Sequence, residues 1–279
     1  MGKKALCVGV NNFKNFPGAA LRGCVNDVQD MSSLLQELFG FANKDITILT
    51  DADATKANIM NNLEAMVDEA KAGKYNYIVF SFSSHGTQVP DLSGDEDDAA
   101  DEAFCPHDLD QAGDAWDPNF IITDDELHDL FATLPENVIL EVYLDTCHSG
   151  TGVRAIDFLL TRKPRYMPPP SLQAFKQIEG RASRGLARKF IQLPVVHHVL
   201  WAGCRSEQTS ADALIENNWH GAFTYFFCKQ MRACQNRLSR KEIITKVRGD
   251  LAAGNYTQIP QLECDATRRN ESVASLLKL

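Results

Sequence analysis

Residues 138–150 read Val-Ile-Leu-Glu-Val-Tyr-Leu-Asp-Thr-Cys-His-Ser-Gly, an apolar run that ends in a short polar segment. A second run of this kind, Tyr-Asn-Tyr-Ile-Val-Phe-Ser-Phe-Ser over residues 75–83, is followed by Ser-His-Gly. Short runs rich in β-branched and aromatic residues predict buried strands. Both strands deliver polar residues to their carboxyl ends, which is where open parallel sheets bind their ligands.

Strands and amphipathic helices alternate along most of the chain. Further strands are predicted over residues 4–10, 45–50, 195–204 and 261–264, and helices over 25–38, 59–70, 124–134, 223–231 and 240–251. This alternation predicts an α/β fold with a mostly parallel sheet and helices on both faces. Residues 84–122 are predicted as a long acidic loop. Residues 151–194, rich in Pro and Gly with little periodicity, are predicted as a linker or mobile loop.

Composition excludes several classes of protein. The 279 residues are 44% hydrophobic and carry a net charge of −9, which argues against nucleic acid as a primary partner. No apolar run reaches the roughly 18–20 residues of a membrane span, and the start lacks a signal-peptide pattern. Eight cysteines without a C-x-x-C pair are typical of buried thiols in a reducing compartment. We therefore expect a cytoplasmic protein with no membrane partner.

Charge is divided unevenly along the chain. Residues 75–153 contain 18 Asp and Glu and no Lys or Arg, whereas residues 154–194 contain nine Lys and Arg against two acids. A strongly negative surface is thus followed by a basic segment that could complement it.

Cys147 and His85 are the candidate catalytic pair. If their two strands are neighbours, His85 can take the thiol proton and later protonate a leaving amine. The backbone N–H groups of Gly86 and Cys147 are candidate donors to the oxyanion. His148 is expected to point away from its neighbour's sulfur, because side chains alternate along an extended segment. The structural alternative is a buried inert cysteine and a solvent-facing histidine.

The segments Ser-Ser-His-Gly and Asp-Thr-Cys-His-Ser-Gly, whose His and Cys are 62 residues apart, resemble the catalytic segments of metacaspases and their bacterial relatives. Residues 21–27, 94–102, 208–212 and 221–224 extend this resemblance over nearly the whole chain. It implies a caspase-like three-layer sandwich of about six strands, the last one antiparallel. It further implies a single catalytic domain over 1–279, with a large-subunit-like part (1–153), a basic linker (154–194) and a small-subunit-like part (195–279). The expected function is that of a cysteine endopeptidase, and the protein is expected to be a monomer.

The resemblance also implies a basic specificity, so that the expected partners are proteins or peptides with Arg or Lys at the cut position. The residues that match the family's primary pocket are Cys24, Asp27, Ser83 and Asp145. Carboxylates beside a nucleophile would hold a guanidinium through charge-assisted hydrogen bonds. The alternative for Asp27 is a favourable charge at a helix N-terminus.

No cofactor is required by these motifs, but the acidic loop offers oxygen ligands for calcium. The candidate ligands are Asp95, Asp97, Asp98, Asp101, Asp124 and Asp125. Many metacaspases have a similar loop and need calcium, yet their site also uses an Asp seven residues after the nucleophile, where this chain has Arg154. A solvated acidic loop, with Asp124 and Asp125 capping their own helix, is the competing interpretation.

The basic linker is either a soluble loop or a strip of self-cleavage sites that can also occlude the pocket. The candidate sites are Arg154, Arg162, Lys163, Arg165, Arg181, Arg184, Arg188 and Lys189. Two other functions remain open: an interaction module that has lost activity, and another cysteine-dependent acyl transferase on the same sheet.

Overall fold

The computed structural model describes residues 2–90, 100–148, 161–171, 174 and 198–276. Several predicted residues lie outside these ranges, namely Asp95, Asp97, Asp98, Arg154, Arg181, Arg184, Arg188 and Lys189. The described strands are Lys3–Gly9 (β1), Ile46–Thr50 (β2), Tyr77–Ser83 (β3), Gly86–Pro90 (β4), Ala100–Phe104 (β5), Gln111–Ala112 (β6), Ala115–Trp116 (β7), Ile122–Thr123 (β8), Ile139–Asp145 (β9), Arg162–Pro164 (β10), His198–Ala202 (β11), Ala211–Ile215 (β12), Asn218–Gly221 (β13) and Gln261–Glu263 (β14). The described helices are Cys24–Phe39 (α1), Lys56–Lys71 (α2), Asp124–Ala132 (α3), Ala222–Cys234 (α4), Arg240–Ala253 (α5), Ala266–Asn270 (α6) and Val273–Leu276 (α7).

A six-stranded sheet in the order β14-β11-β9-β3-β1-β2 forms the centre of the molecule. The pairs from β11 to β2 are parallel, and only β14 runs antiparallel to its neighbour β11. The predicted sheet of about six strands with an antiparallel last strand is therefore confirmed.

Helices cover both faces of this sheet, as the pattern of buried residues requires. Leu6 and Val8 of β1 pack into a core with helices α2 and α3. The alternate residues Ala5 and Cys7 pack into a second core with helices α1, α4 and α5. Side chains that alternate between two apolar layers produce a three-layer sandwich, so the predicted fold class is confirmed.

Local end signals set several helix boundaries. Thr123 and Glu126 form a capping box at the start of α3, and Ser239 and Glu242 form one at the start of α5. Helix α1 ends at Phe39 because the next residue, Gly40, adopts a left-handed conformation with φ of 67°.

Two segments predicted as loops contain strands instead. In the acidic segment, β4, β5 and β8 form an antiparallel sheet and β6 pairs with β7. In the basic segment, β10 adds to the hairpin of β12 and β13. These strands are short and polar, so they lack the apolar alternation that identifies a strand in a sequence.

The structure also describes the state of the cysteines and the length and apolarity of the helices. All eight cysteines are free thiols, six of them buried. Among the described helices, none combines the length and apolarity that crossing a membrane requires.

A buried ion pair joins the central sheet to helix α5. Glu141 in β9 accepts bonds from Nε and Nη2 of Arg240 at 3.0 and 3.1 Å, and both side chains are almost fully buried. Trp201 Nε1 and the Tyr77 hydroxyl donate to the same carboxylate. Burial alone would raise the pKa of Glu141, but the guanidinium and these hydrogen bonds hold that pKa below its usual value.

Glu141→Gln should cost about 3–5 kcal/mol of the free energy of unfolding, because it leaves the Arg240 guanidinium buried without its counter-charge. Urea denaturation measures this loss. The matched control is Glu69→Gln, which removes an exposed ion pair with Lys74 and should change stability very little. Equal effects of the two substitutions would contradict the proposed weight of the buried pair.

Candidate active site

The two polar segments singled out in the sequence meet at one edge of the sheet. Strands β3 and β9 are paired in parallel register, with Ser83 opposite Asp145. The chain remains close beyond this pair, since a Cβ on Gly86 would lie 2.2 Å from the carbonyl oxygen of Cys147. Only glycine permits this approach. His85 and Cys147 thus belong to adjoining segments, as the sequence predicts.

The imidazole of His85 is buried and oriented by one hydrogen bond. Its Nε2 lies 2.7 Å from the carbonyl oxygen of Ala19, and because a carbonyl only accepts, Nε2 carries the proton. The Nδ1 atom is buried without a well-formed hydrogen bond. Burial lowers the pKa of His85 to about 3, although the carbonyl of Ala19 opposes the shift. The ring is therefore neutral at pH 7, with Nδ1 available as a base.

The thiol of Cys147 is fully buried against the main chain of Ser210. The Ser210 N–H donates to Sγ, and Sγ lies 3.3 Å from the Ser210 carbonyl oxygen. In the described part of the chain, no hydrogen bond joins this thiol to His85. Catalytic hydrogen bonds are often absent outside the reacting complex, so the geometry is compatible with a pair that functions only during reaction.

His148 has its own set of partners next to Cys147. Its Nδ1 is 3.3 Å from the carbonyl oxygen of Thr87, and its ring packs edge-on against Phe104. Its Nε2 is 3.7 Å from a carboxylate oxygen of Glu102. None of these contacts involves the Cys147 sulfur.

A carbonyl from the basic segment occupies the position expected for an oxyanion. The backbone N–H groups of Gly86 and Cys147 both donate to the carbonyl oxygen of Arg165, at 3.0 and 3.3 Å. These two donors are the ones that the sequence predicts. Two converging N–H groups on one oxygen form the arrangement that stabilises negative charge in acyl transfer.

The side chain of the same residue lies in an acidic pocket. Nη2 of Arg165 is 2.7 Å from Asp27 and 3.0 Å from Asp212, and Nη1 is 3.4 Å from the Asp145 carboxylate. Nη1 also donates to the Asp145 carbonyl at 3.0 Å. The guanidinium is completely buried. The pocket therefore holds a long cationic side chain by charge and by directional hydrogen bonds.

Each carboxylate of this pocket is fixed by donors other than Arg165. Asp145 accepts from the Ser210 hydroxyl and from the backbone and hydroxyl of Thr224. Asp27 accepts from the Gly221 N–H at 2.8 Å. Asp212 accepts from the N–H groups of residues 22 and 23, both at 2.9 Å. The carboxylates are thus held in place independently of their cation.

Like charges and burial make the pocket require a cation. Burial raises the pKa of Asp27 to about 6, with Asp145 adding to the rise and the Arg165 guanidinium opposing it. At pH 7 Asp27 is therefore mainly ionised while the guanidinium is present. Loss of the cation would leave three carboxylates facing one another in a buried site.

The structure brings most of the predicted pocket residues together. Asp27 and Asp145 bind the guanidinium. Burial raises the pKa of the Cys24 thiol well above its usual value, and the nearby Arg165 guanidinium opposes this shift. Ser83 is buried at the end of β3, opposite Asp145 in the neighbouring strand β9. The third ion pair with the guanidinium is made by Asp212, which is not one of the predicted pocket residues. Asp212 and Gly221 were not assigned to the pocket from the sequence, although both lie in segments that carry the metacaspase resemblance.

The chain on either side of Arg165 is extended along the site. Before it, β10 pairs antiparallel with β12, and the Arg165 N–H donates to the Ser210 carbonyl at 3.0 Å. After it, the Met167 N–H donates to the Gly86 carbonyl at 2.9 Å. Residues 161–167 therefore cross the sheet edge as an added strand, the geometry in which many proteins bind an extended peptide.

Three of the six candidate calcium ligands also come together. Asp101 in β5 and Asp124 and Asp125 at the start of α3 each offer a carboxylate oxygen, and these oxygens lie within 4.8 Å of one another. Such a donor set suits a hard cation. The other three candidates lie outside the described residues.

Comparison with known proteins identifies the family. A sequence model of the metacaspase peptidase C14 domain matches residues 3–156. The chain belongs to the metacaspase family. It is therefore a cysteine-type peptidase, a hydrolase that acts on proteins.

Curated relatives agree with this assignment, and solved structures share the fold. The chain is 32% identical to Metacaspase-1A of Aspergillus oryzae and of Aspergillus niger over 94% of its own length, covering 67% and 70% of theirs. A crystal structure of a Geobacter sulfurreducens protein superposes with a TM-score of 0.69 at 25% identity, covering 98% of both chains. Caspase-1 of Spodoptera frugiperda superposes with a TM-score of 0.58 at 13% identity, covering 94% of this metacaspase and 86% of the caspase. The latter likeness concerns the fold alone.

Proposed function

We propose that this metacaspase is an endopeptidase that cuts after Arg or Lys with Cys147 as nucleophile and His85 as base. The observation that carries the proposal is the position of Arg165. Its guanidinium lies among three carboxylates, while its carbonyl oxygen accepts from the Gly86 and Cys147 N–H groups. One residue thus fills both a basic-specific pocket and an oxyanion site, as the residue before a cut bond must do.

The proposed reaction begins with transfer of the Cys147 thiol proton to Nδ1 of His85. The sulfur then forms a bond to the carbonyl carbon, and the negative charge on its oxygen is stabilised by the two N–H donors. The C–N bond breaks as the imidazolium protonates the leaving amine. Water then hydrolyses the thioester, with His85 taking a proton from it, and the free thiol returns.

The pocket explains why the cut residue would be basic. An Asp or Glu side chain would add a fourth negative charge beside Asp27, Asp145 and Asp212. Lys fits the charge but cannot form the forked bonds of a guanidinium, so Arg should be preferred.

The direct test measures hydrolysis of fluorogenic peptides that end in Arg, Lys or Asp. We expect the Arg peptide to be hydrolysed faster than the Lys peptide, and the Asp peptide not to be hydrolysed. Cys147→Ala should abolish hydrolysis of all of them. Asp27→Asn should lower kcat/KM for the Arg peptide at least about tenfold, because a charge-assisted bond to a buried carboxylate is lost. It should affect alkylation of Cys147 much less.

Other outcomes of this assay identify the competing functions. A silent wild type with alkylatable Cys147 would favour an inactive interaction module. Transfer of the acyl group to an added amine, without hydrolysis, would favour an acyl transferase. Equal use of Arg and Asp peptides would contradict the pocket.

We further propose that the chain cuts itself between Arg165 and Tyr166. Of the three candidate basic residues that the structure describes, Arg162, Lys163 and Arg165, it is Arg165 whose carbonyl oxygen accepts from the two N–H donors and whose side chain lies in the acidic pocket. The backbone of Arg165 is also close enough to His85 to influence the pKa of the ring. Because substrate and nucleophile are in one chain, the reaction should be intramolecular.

Intact mass measurement of the purified chain tests this cut. We expect fragments that end at Arg165 and begin at Tyr166, formed at a rate independent of protein concentration. Cys147→Ala and Arg165→Ala should abolish these fragments, while Arg165→Lys should retain them more slowly. A first cut at another basic residue, or a rate proportional to concentration, would refute the assignment.

We also propose that Asp101, Asp124 and Asp125 bind a calcium ion. The ion would neutralise the mutual repulsion of these carboxylates and connect β5 to α3. Strand β5 pairs with β4, which begins at the oxyanion donor Gly86, so the cluster is structurally linked to the site.

Thermal denaturation with calcium or with a chelator tests this ligand independently of activity. Calcium should raise Tm of the wild type by at least about 2 °C, and Asp124→Asn should abolish the rise. Asp129→Asn, on the exposed side of the same helix, is the matched control and should retain it. A wild-type Tm that does not change when calcium is added would exclude a calcium site of useful affinity.

A further inference from the structure

We propose that the enzyme has a second basic-specific subsite, which binds Arg at the fourth position before the cut bond. This subsite is formed by Tyr256 and the backbone carbonyls of Gly254 and Asn255. The inference rests on the proposed cut after Arg165, and it extends the substrate class from a single basic residue to the pattern Arg-x-x-Arg.

The register of strand β10 defines the positions before the cut. Arg162 pairs with Ala213 and Pro164 with Ala211, and the Arg165 N–H donates to the Ser210 carbonyl. Counted back from the bond after Arg165, Pro164 is the second residue, Lys163 the third and Arg162 the fourth. Since the pairing uses backbone groups, another peptide can adopt the same register.

The side chain of Arg162 has a formed binding site at the C-terminal end of helix α5. Its Nη1 donates to the Asn255 carbonyl at 2.8 Å, and Nη2 donates to the Gly254 carbonyl at 2.7 Å. Its guanidinium carbon lies 3.9 Å from the centroid of the Tyr256 ring. A planar cation is thus held by two acceptors and one aromatic face.

The surroundings of this subsite favour a cation over other side chains. Helix α5 ends at Ala253, so the carbonyls that follow lie at the negative end of the helix dipole. Asn255 adopts a left-handed conformation with φ of 57° and Tyr256 packs edge-on against Phe226, which fixes the carbonyl and the ring before any substrate arrives. A carboxylate at this position would face two carbonyl oxygens and the negative face of a ring.

The third position provides a built-in comparison. Within the described residues, the ammonium of Lys163 donates to one carbonyl, that of Ala20, at 2.7 Å. A single acceptor without a ring should contribute less selectivity than the site of Arg162. The second position is Pro164, which has no N–H to donate and requires none in this register.

Hydrolysis of four fluorogenic peptides by the full chain tests the subsite: Arg-Lys-Pro-Arg, Ala-Lys-Pro-Arg, Glu-Lys-Pro-Arg and Arg-Ala-Pro-Arg. The ratio of kcat/KM between peptides is the readout, because the chain's own segment competes equally with all of them. Arg at the fourth position should exceed Ala at least about tenfold and Glu by more, as expected for a cation–π contact with two charge-assisted bonds. Replacing the Lys at the third position should have a smaller effect.

Variants of Tyr256 assign the selectivity to its ring. Tyr256→Leu should reduce the Arg-to-Ala ratio to about threefold or less, and Tyr256→Phe, which retains the ring face, should preserve it. In the intact chain, Arg162→Ala should slow self-cleavage after Arg165, and combination with Tyr256→Leu should add little.

The outcomes separate this inference from the proposed function. Equal cleavage of the Arg and Ala peptides by the wild type overturns the subsite and leaves the proposed endopeptidase standing. Persistence of the Arg-to-Ala ratio in Tyr256→Leu also overturns it. Failure to cut any of the four peptides refutes the endopeptidase and this inference together.

Discussion

Three buried carboxylates that share one cation are the constraint on which the site depends. Asp27 comes from the start of α1, Asp145 from the end of β9 and Asp212 from β12. Each element is far from the others in sequence, and each carboxylate would be costly in a buried position without a positive partner. The guanidinium of Arg165 supplies that partner and connects the three elements. Electrostatic satisfaction of this pocket is therefore a stability requirement, and in the proposed function it also selects the residue before the cut bond.

The sheet topology explains why the proposed catalytic groups and the pocket lie together. Neighbouring parallel strands end at one edge, so the segments after β3 and β9 meet and bring the N–H groups of Gly86 and Cys147 within reach of one oxygen. Gly221 lies against the same pocket, where a Cβ would be 2.2 Å from a carboxylate oxygen of Asp145. The close approach of these backbone segments therefore depends on glycine at both positions.

Parts of this arrangement can be predicted from sequence because they depend on local or periodic signals. The apolar runs before Asp145 and Ser83 indicate strands, and the capping boxes at Thr123 and Ser239 mark helix starts. The proximity of the segments that carry His85 and Cys147 can also be predicted, because neighbouring parallel strands end at the same edge of a sheet.

Other features have no periodic signal. The β12–β13 hairpin turns at Glu216 and Asn217, both with positive φ, but lacks the Asn-Gly or Asp-Gly pair that normally identifies such a turn. Without that hairpin, Asp212 cannot be placed in the pocket. The pair of Glu141 and Arg240 is equally hidden, because the two residues are 99 positions apart and meet only through packing of α5.

The basic segment unites these observations, since residues 161–167 serve as strand, counter-charge and bound peptide at once. Its charge complements the acidic pocket, but charge alone would accept any of the basic residues between 154 and 189. Backbone pairing with β12 removes this freedom, because a shift of one residue would turn the Arg165 side chain away from the pocket and take the Arg162 guanidinium off the Tyr256 ring. Two basic side chains three positions apart, each with its own partners, therefore fix one register where a single ion pair would permit several. In the proposed function, specificity thus depends on strand pairing and charge acting together.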